Sequence, residues 1–171
     1  MARTSRLLQT CAALAVAAAA ALAHAQPPLP KDPPPRPTHP PAKGHKLDLT
    51  GRAQVGKASI YANKFAGRKM ADGTPMDPRD DNAASKTLPL GTKALVTNLE
   101  TGRSAVVTIQ DRGPYVDGRI VDLSPATARQ IGLTLEEGLA RVEVAPIAVP
   151  HPDGTLRPGA GAAAVASAGG S

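Results

Sequence analysis

Residues 110–124 read Gln-Asp-Arg-Gly-Pro-Tyr-Val-Asp-Gly-Arg-Ile-Val-Asp-Leu-Ser. The stretch closes an alternating apolar run with Asp111 and Arg112. It turns at Gly113-Pro114, resumes as the short apolar run Arg119–Leu123, and enters a helix at Ser124-Pro125. Two carboxylates, Asp111 and Asp122, and one arginine therefore stand at the ends of buried strands. That placement points to a site rather than a solvated surface.

Working outward, Thr92–Leu99 and Ser104–Gln110 alternate polar and apolar residues on either side of Glu100-Thr101-Gly102, a hairpin signature. Gln54–Tyr61 and Leu139–Val144 are further strands. Ser124 as N-cap, Pro125 at the first helical position and Gly132 as the stop define one helix. Residues 71–91 are polar and turn-rich. They are expected to form a long loop with one helical turn near Asn82–Ser85. Short strands, one helix and a long loop predict a mainly β domain over residues 51–147, closed as a small barrel. Its core must be Val, Ile, Leu and Ala, because Tyr61, Phe65 and Tyr115 are the only aromatics.

The flanks carry other signals. Arg3 and Arg6 precede an Ala-rich run that ends in Ala23-His24-Ala25, so residues 1–25 read as an export signal peptide. Gln9 and Thr10 suit a lipidation motif poorly, so Cys11 is not expected to be acylated. Cleavage removes the only cysteine, and the formal charge of +6 falls to +4 with Arg3 and Arg6 gone. Residues 26–50 form a Pro-rich linker, with nine prolines in positions 26–42. Residues 148–171 are Ala/Gly-rich and are expected to be a disordered tail. The domain holds no histidine and no cysteine, so its chemistry must be carboxylate chemistry. No metal or cofactor is expected. No basic cluster interleaved with aromatics suggests nucleic acid. A mildly basic exported chain suits an anionic envelope polymer, although solubility alone explains that charge equally well.

Eight blocks occur in order: Gly56-Lys-Ala-Ser-Ile-Tyr61, Phe65-Ala-Gly-Arg68, Ala71-Asp-Gly73, Thr87-Leu-Pro-Leu-Gly-Thr92, Val96-Thr-Asn-Leu99, Thr101-Gly-Arg103, Asp111-Arg-Gly-Pro114 and Gly118-Arg-Ile-Val-Asp-Leu-Ser124. This series resembles the rare lipoprotein A (RlpA) family of septal peptidoglycan lytic transglycosylases. The resemblance implies a six-stranded double-psi β-barrel with one or two short helices. It also implies a substrate of peptidoglycan strands stripped of stem peptides, cut endolytically to leave 1,6-anhydro ends in the periplasm or envelope. The SPOR module that docks some relatives onto such strands is not expected in the tail. This chain departs from the family at Thr74, where relatives often carry Glu, at Ser85, where they often carry His, and at Ile60, where Trp is usual. An expansin-like wall-binding module is the alternative that these losses favour.

A lytic transglycosylase can use one carboxyl twice. It first protonates the glycosidic oxygen and then takes the proton of the sugar's own 6-hydroxyl. Asp111 is the sequence's candidate for that acid and base, or else a turn residue at Gly113-Pro114. Asp122 is either its partner or a carboxylate favoured by the following helix dipole. Asp77 either binds sugar hydroxyls or satisfies its own loop. Tyr61 either stacks on a sugar or packs in the core. Arg112 either holds a lactyl carboxylate of the substrate or forms a structural pair. Thr74 and Ser85 can only hydrogen-bond.

Overall fold

Alternate residues of β4 (Ser104–Asp111) point inward, burying Ala105, Val107 and Ile109. The preceding strand β3 (Lys93–Asn98) does the same with Ala94 and Val96, and the two pair antiparallel with Ala94 opposite Val107. Burying such aliphatic side chains is worth roughly 1.5–3 kcal/mol each, and this fixes the register. These strands belong to a computed structural model that describes residues 46–168. The export signal at residues 1–25 and the linker up to residue 45 lie outside the described residues.

The other strands are β1 (Gln54–Ile60), β2 (Asn82–Ala84), β5 (Arg119–Leu123), β6 (Leu139–Pro150) and β7 (Leu156–Pro158). The order is β1-β5-β2-β4-β3-β6, and β6 pairs back to β1, so six strands close into a barrel. The pairs β1/β5 and β2/β4 are parallel and the remainder antiparallel. Val96, Val107, Ile109, Val121, Leu123 and Val142 fill the interior, and each is fully buried. Helix α1 (Pro125–Gln130) covers one end. Its N-cap Ser124 accepts from Thr127 N at 3.1 Å, and Gly132 takes the positive φ of 77° that ends it.

Three expectations need correction. Asn82–Ser85 is not a helical turn. Asn82–Ala84 is a strand, held between β4 and β5, and its pairing rather than any local pattern makes it one. Strand β6 runs on past Val144 to Pro150, pairing Leu139–Val144 with β1 and Val142–Ala148 with β3. Residues 148–168 are not a disordered tail. β7 pairs with β6, and α2 (Gly161–Ala168) packs against it. The Ala/Gly composition there serves close packing, since a Cβ at Gly159 or Gly161 would collide with the backbone of Pro146 or Ala145. At the other end, Asp48 N donates to Thr87 O at 2.8 Å and the Asp48 carboxylate accepts from Gln54 Nε2 at 2.9 Å, so Asp48 is tied to the β2–β3 loop and to β1. The extended fold includes one histidine, His151.

Candidate active site

Register brings the sequence's two carboxylates together. Asp122 on β5 lies opposite Ser59 on β1 and opposite Ala84 on β2, and Ala84 lies opposite Asp111 on β4. The row Ser59–Asp122–Ala84–Asp111 thus crosses four neighbouring strands. Ala58, Leu123 and Ala83, chain neighbours of Ser59, Asp122 and Ala84, are buried in the barrel core, so those three face outward, and the register shift that skips Gln110 between Ile109 and Asp111 brings Asp111 into the same row. Strand spacing sets the two aspartate Cα atoms about 10 Å apart, with only the small Ala84 between them. A second apolar cluster of Tyr61, Met70, Met76 and Ala84, with Phe65 against it, includes Ala84 of the row and packs beside it.

Asp111 accepts from Tyr61 Oη at 3.2 Å, from Ala71 N at 3.0 Å and from the N–H of Arg112 at 2.8 Å. The corner beyond it needs glycine. Gly113 has φ 135°, and a Cβ there would approach Asp122 Oδ2 to 3.8 Å. Asp122 accepts a hydrogen bond from Ser59 Oγ. Burial pushes the Asp122 carboxyl above the ordinary aspartate range. The Ser59 bond and the cations Arg119 and Lys86 pull it down, while the charge of Asp111 pushes it further up. Burial, then the charges of Asp111 and Asp122, raise the Tyr61 phenol, which stays a protonated donor.

The remaining sequence candidates divide. Tyr61 reaches the carboxylate row through its hydroxyl, which donates to Asp111. Its ring is only 8% exposed and meets Phe65 edge-on at 6.0 Å, so no free face is left for a sugar. Arg112 Nη1 donates to Ser85 O at 3.1 Å and Leu88 O at 2.7 Å, which commits it to the backbone. Ser85 is buried, and its Oγ accepts from Leu88 N within the same turn. Thr74 sits at the rim, where it donates to Asp72 and accepts from Gln110 Nε2 at 3.3 Å. Asp77 pairs with Arg79 at 3.0 Å, and those hydrogen bonds hold its carboxyl below the usual range, so it closes its own loop. Ser59 joins the candidate site through its hydrogen bond to Asp122, and sequence reasoning did not single it out. The available signal was alternation, because Ser59 and Tyr61 share one face of β1 while Ala58 takes the other. Asp122 makes its contact with Ser59 rather than with the helix N-terminus, which Ser124 caps.

A family model described as lytic transglycolase, built on the double-psi β-barrel, matches residues 53–144. The chain belongs to this family. The matched segment holds the full row Ser59–Asp122–Ala84–Asp111. Among similar proteins, the endolytic peptidoglycan transglycosylase RlpA of Pasteurella multocida is 50% identical over 97 residues, covering 57% of this chain and 33% of that protein. The RlpA protein of Vibrio cholerae is 44% identical over 102 residues, covering 60% and 38%. The chain spans about a third of the length of these curated relatives. Among solved structures, Streptomyces papain inhibitor aligns with a TM-score of 0.45 and 26% identity, over 57% of this chain and 96% of that one.

Proposed function

We propose that this lytic transglycolase domain is an endolytic peptidoglycan transglycosylase of the cell envelope. It would act on glycan strands lacking stem peptides and leave 1,6-anhydro-muramyl ends. The observation that carries this is the row with its two carboxylates, one of them, half-buried Asp122, shifted toward its protonated form. Asp122 gives its proton to the glycosidic oxygen as the carbon–oxygen bond breaks. It then takes the proton of the 6-hydroxyl as that oxygen closes on the anomeric carbon, so the proton count balances without water. Asp111, anchored by Tyr61 and Ala71 N, presents negative charge to the developing positive charge at the anomeric carbon. The acid/base role thus passes from Asp111, the sequence's candidate, to Asp122, because burial favours a proton there. Ser59 orients Asp122. Thr74 lies where it can meet sugar hydroxyls at the rim, and Asp77 and Ser85 support the loops. Residues 1–25 would direct export.

The second reading, an expansin-like binder, draws support from the Ser85 hydroxyl, which is turned into its own loop. Digestion of denuded strands in heavy-oxygen water separates the mechanisms. Internal attack predicts anhydro ends without label, whereas labelled reducing ends would mean hydrolysis. Retained binding to insoluble wall with no new ends would mean the binder.

A further inference from the structure

Lys57 on β1 lies opposite Arg119 on β5 and Arg141 on β6. Three cations therefore stand side by side across three strands, an arrangement that opposes sheet formation. None of them forms an ion pair among the described residues, and Arg119 Nε is buried without a hydrogen-bond partner. Lys57 precedes Ser59 by two residues, so this cationic row occupies the same outer face as the carboxylate row, roughly 7 Å along the strand. The register shift just after Lys57 accommodates Ile120, whose side chain lies against Gly56, where any Cβ would strike it. A cavity of about 580 Å³ is lined by Lys57, Arg141, Gly118, Leu139, Val55 and Glu100, among others. Leu139 is the cross-strand partner of Ser59, so the cavity lies beside the carboxylate row, with Lys57 and Arg141 in its lining and Arg119 next to Lys57 outside it.

Arg112, expected to hold a substrate carboxylate, is committed to Ser85 O and Leu88 O. We propose that Lys57, Arg119 and Arg141 form an anion subsite for the free lactyl carboxylate of a muramyl residue neighbouring the scissile bond. The proposal rests on the glycan reading above and deepens it. A muramyl residue bearing a stem peptide ends its lactyl ether in an amide, which is bulky and uncharged. A stripped residue ends it in a carboxylate. The cationic row would therefore sense loss of the peptide as a gain of negative charge. The apolar wall of Val55 and Leu139 suits a sugar ring better than a bare anionic polymer. Glu100 lines the same cavity and opposes the anion, and Glu143 lies two residues beyond Arg141 on the same face.

Calorimetric titration of the full chain tests this with denuded glycan oligomers and with the same oligomers methyl-esterified at the lactyl carboxyl. The wild type should bind the carboxylate form about tenfold more tightly, with the preference shrinking at high salt. Lys57→Ala with Arg141→Ala should weaken that form to the level of the ester and leave ester binding unchanged. Glu100→Gln should tighten the carboxylate form. If the double variant melts early, Lys57→Gln and Arg141→Gln tested singly carry the same comparison. An undiminished preference in folded variants overturns the subsite while leaving the glycan reading intact. Binding of neither oligomer overturns both. Tighter binding of polyphosphate than of the oligomer, lost in the double variant, reassigns the row to an anionic polymer and overturns the proposal.

Discussion

Asp122 and Ser59 make one unit at the residue scale. The Ser59 hydrogen bond favours the charged carboxylate and partly offsets burial. Removing it by Ser59→Ala should raise the Asp122 pKa further. The alkaline limb of the pH–kcat profile should then move to higher pH, and a purely structural serine would leave that limb in place. Stability carries the same sign. Because the folded pKa of Asp122 is raised, its contribution is fully present below the ordinary value of 3.8 and is lost as pH climbs through the raised folded value. Denaturant titrations across that window should show wild-type stability falling relative to Asp122→Asn, in which this group no longer titrates. Tyr61→Phe removes one of the three donors to Asp111 and should cost about 1 kcal/mol of stability, together with a fall in kcat. Asp111 and Asp122 stood out in the sequence because charged groups at strand ends contrast with an apolar pattern, whereas Tyr61 was read there for its ring and not for the hydroxyl that reaches Asp111. Ser59 did not stand out, since a small hydroxyl within a strand carries no such contrast.

At the scale of elements, the β3/β4 hairpin and α1 were legible because their signals are local: alternation, a Gly-containing turn, and a Ser-Pro start with a Gly stop. β2 was not legible. Its three residues carry no period and are a strand only because β4 and β5 flank them. β7 and α2 were not legible for a different reason. Small residues that permit close backbone approach have the same composition as a disordered tail. Gly159 and Gly161 distinguish the two cases. Gly161→Val forces a side chain onto the Ala145 carbonyl and should cost about 1–3 kcal/mol, read as a lowered Tm. An unchanged Tm would mean that α2 contributes nothing to the fold.

For the whole molecule, closure of six strands holds the candidate site on the outer wall of the barrel rather than on loops alone. The core is aliphatic, so Ile109→Ala should cost about 2–5 kcal/mol and disturb Asp111 two positions along the same strand. The barrel places a cationic row beside a carboxylate row on one face, and neither could be seen without register. The sequence held every one of these residues, but which strands were neighbours depended on a mixed parallel and antiparallel order that local pattern does not encode. The central claim is that Asp122 is the acid and base of a non-hydrolytic cut. Mass spectrometry of denuded glycan strands incubated with wild type and with folded Asp122→Asn tests it most directly. The account predicts anhydro-ended fragments from the wild type and none from Asp122→Asn. Equal anhydro fragments from both proteins, or none from the wild type, would contradict it.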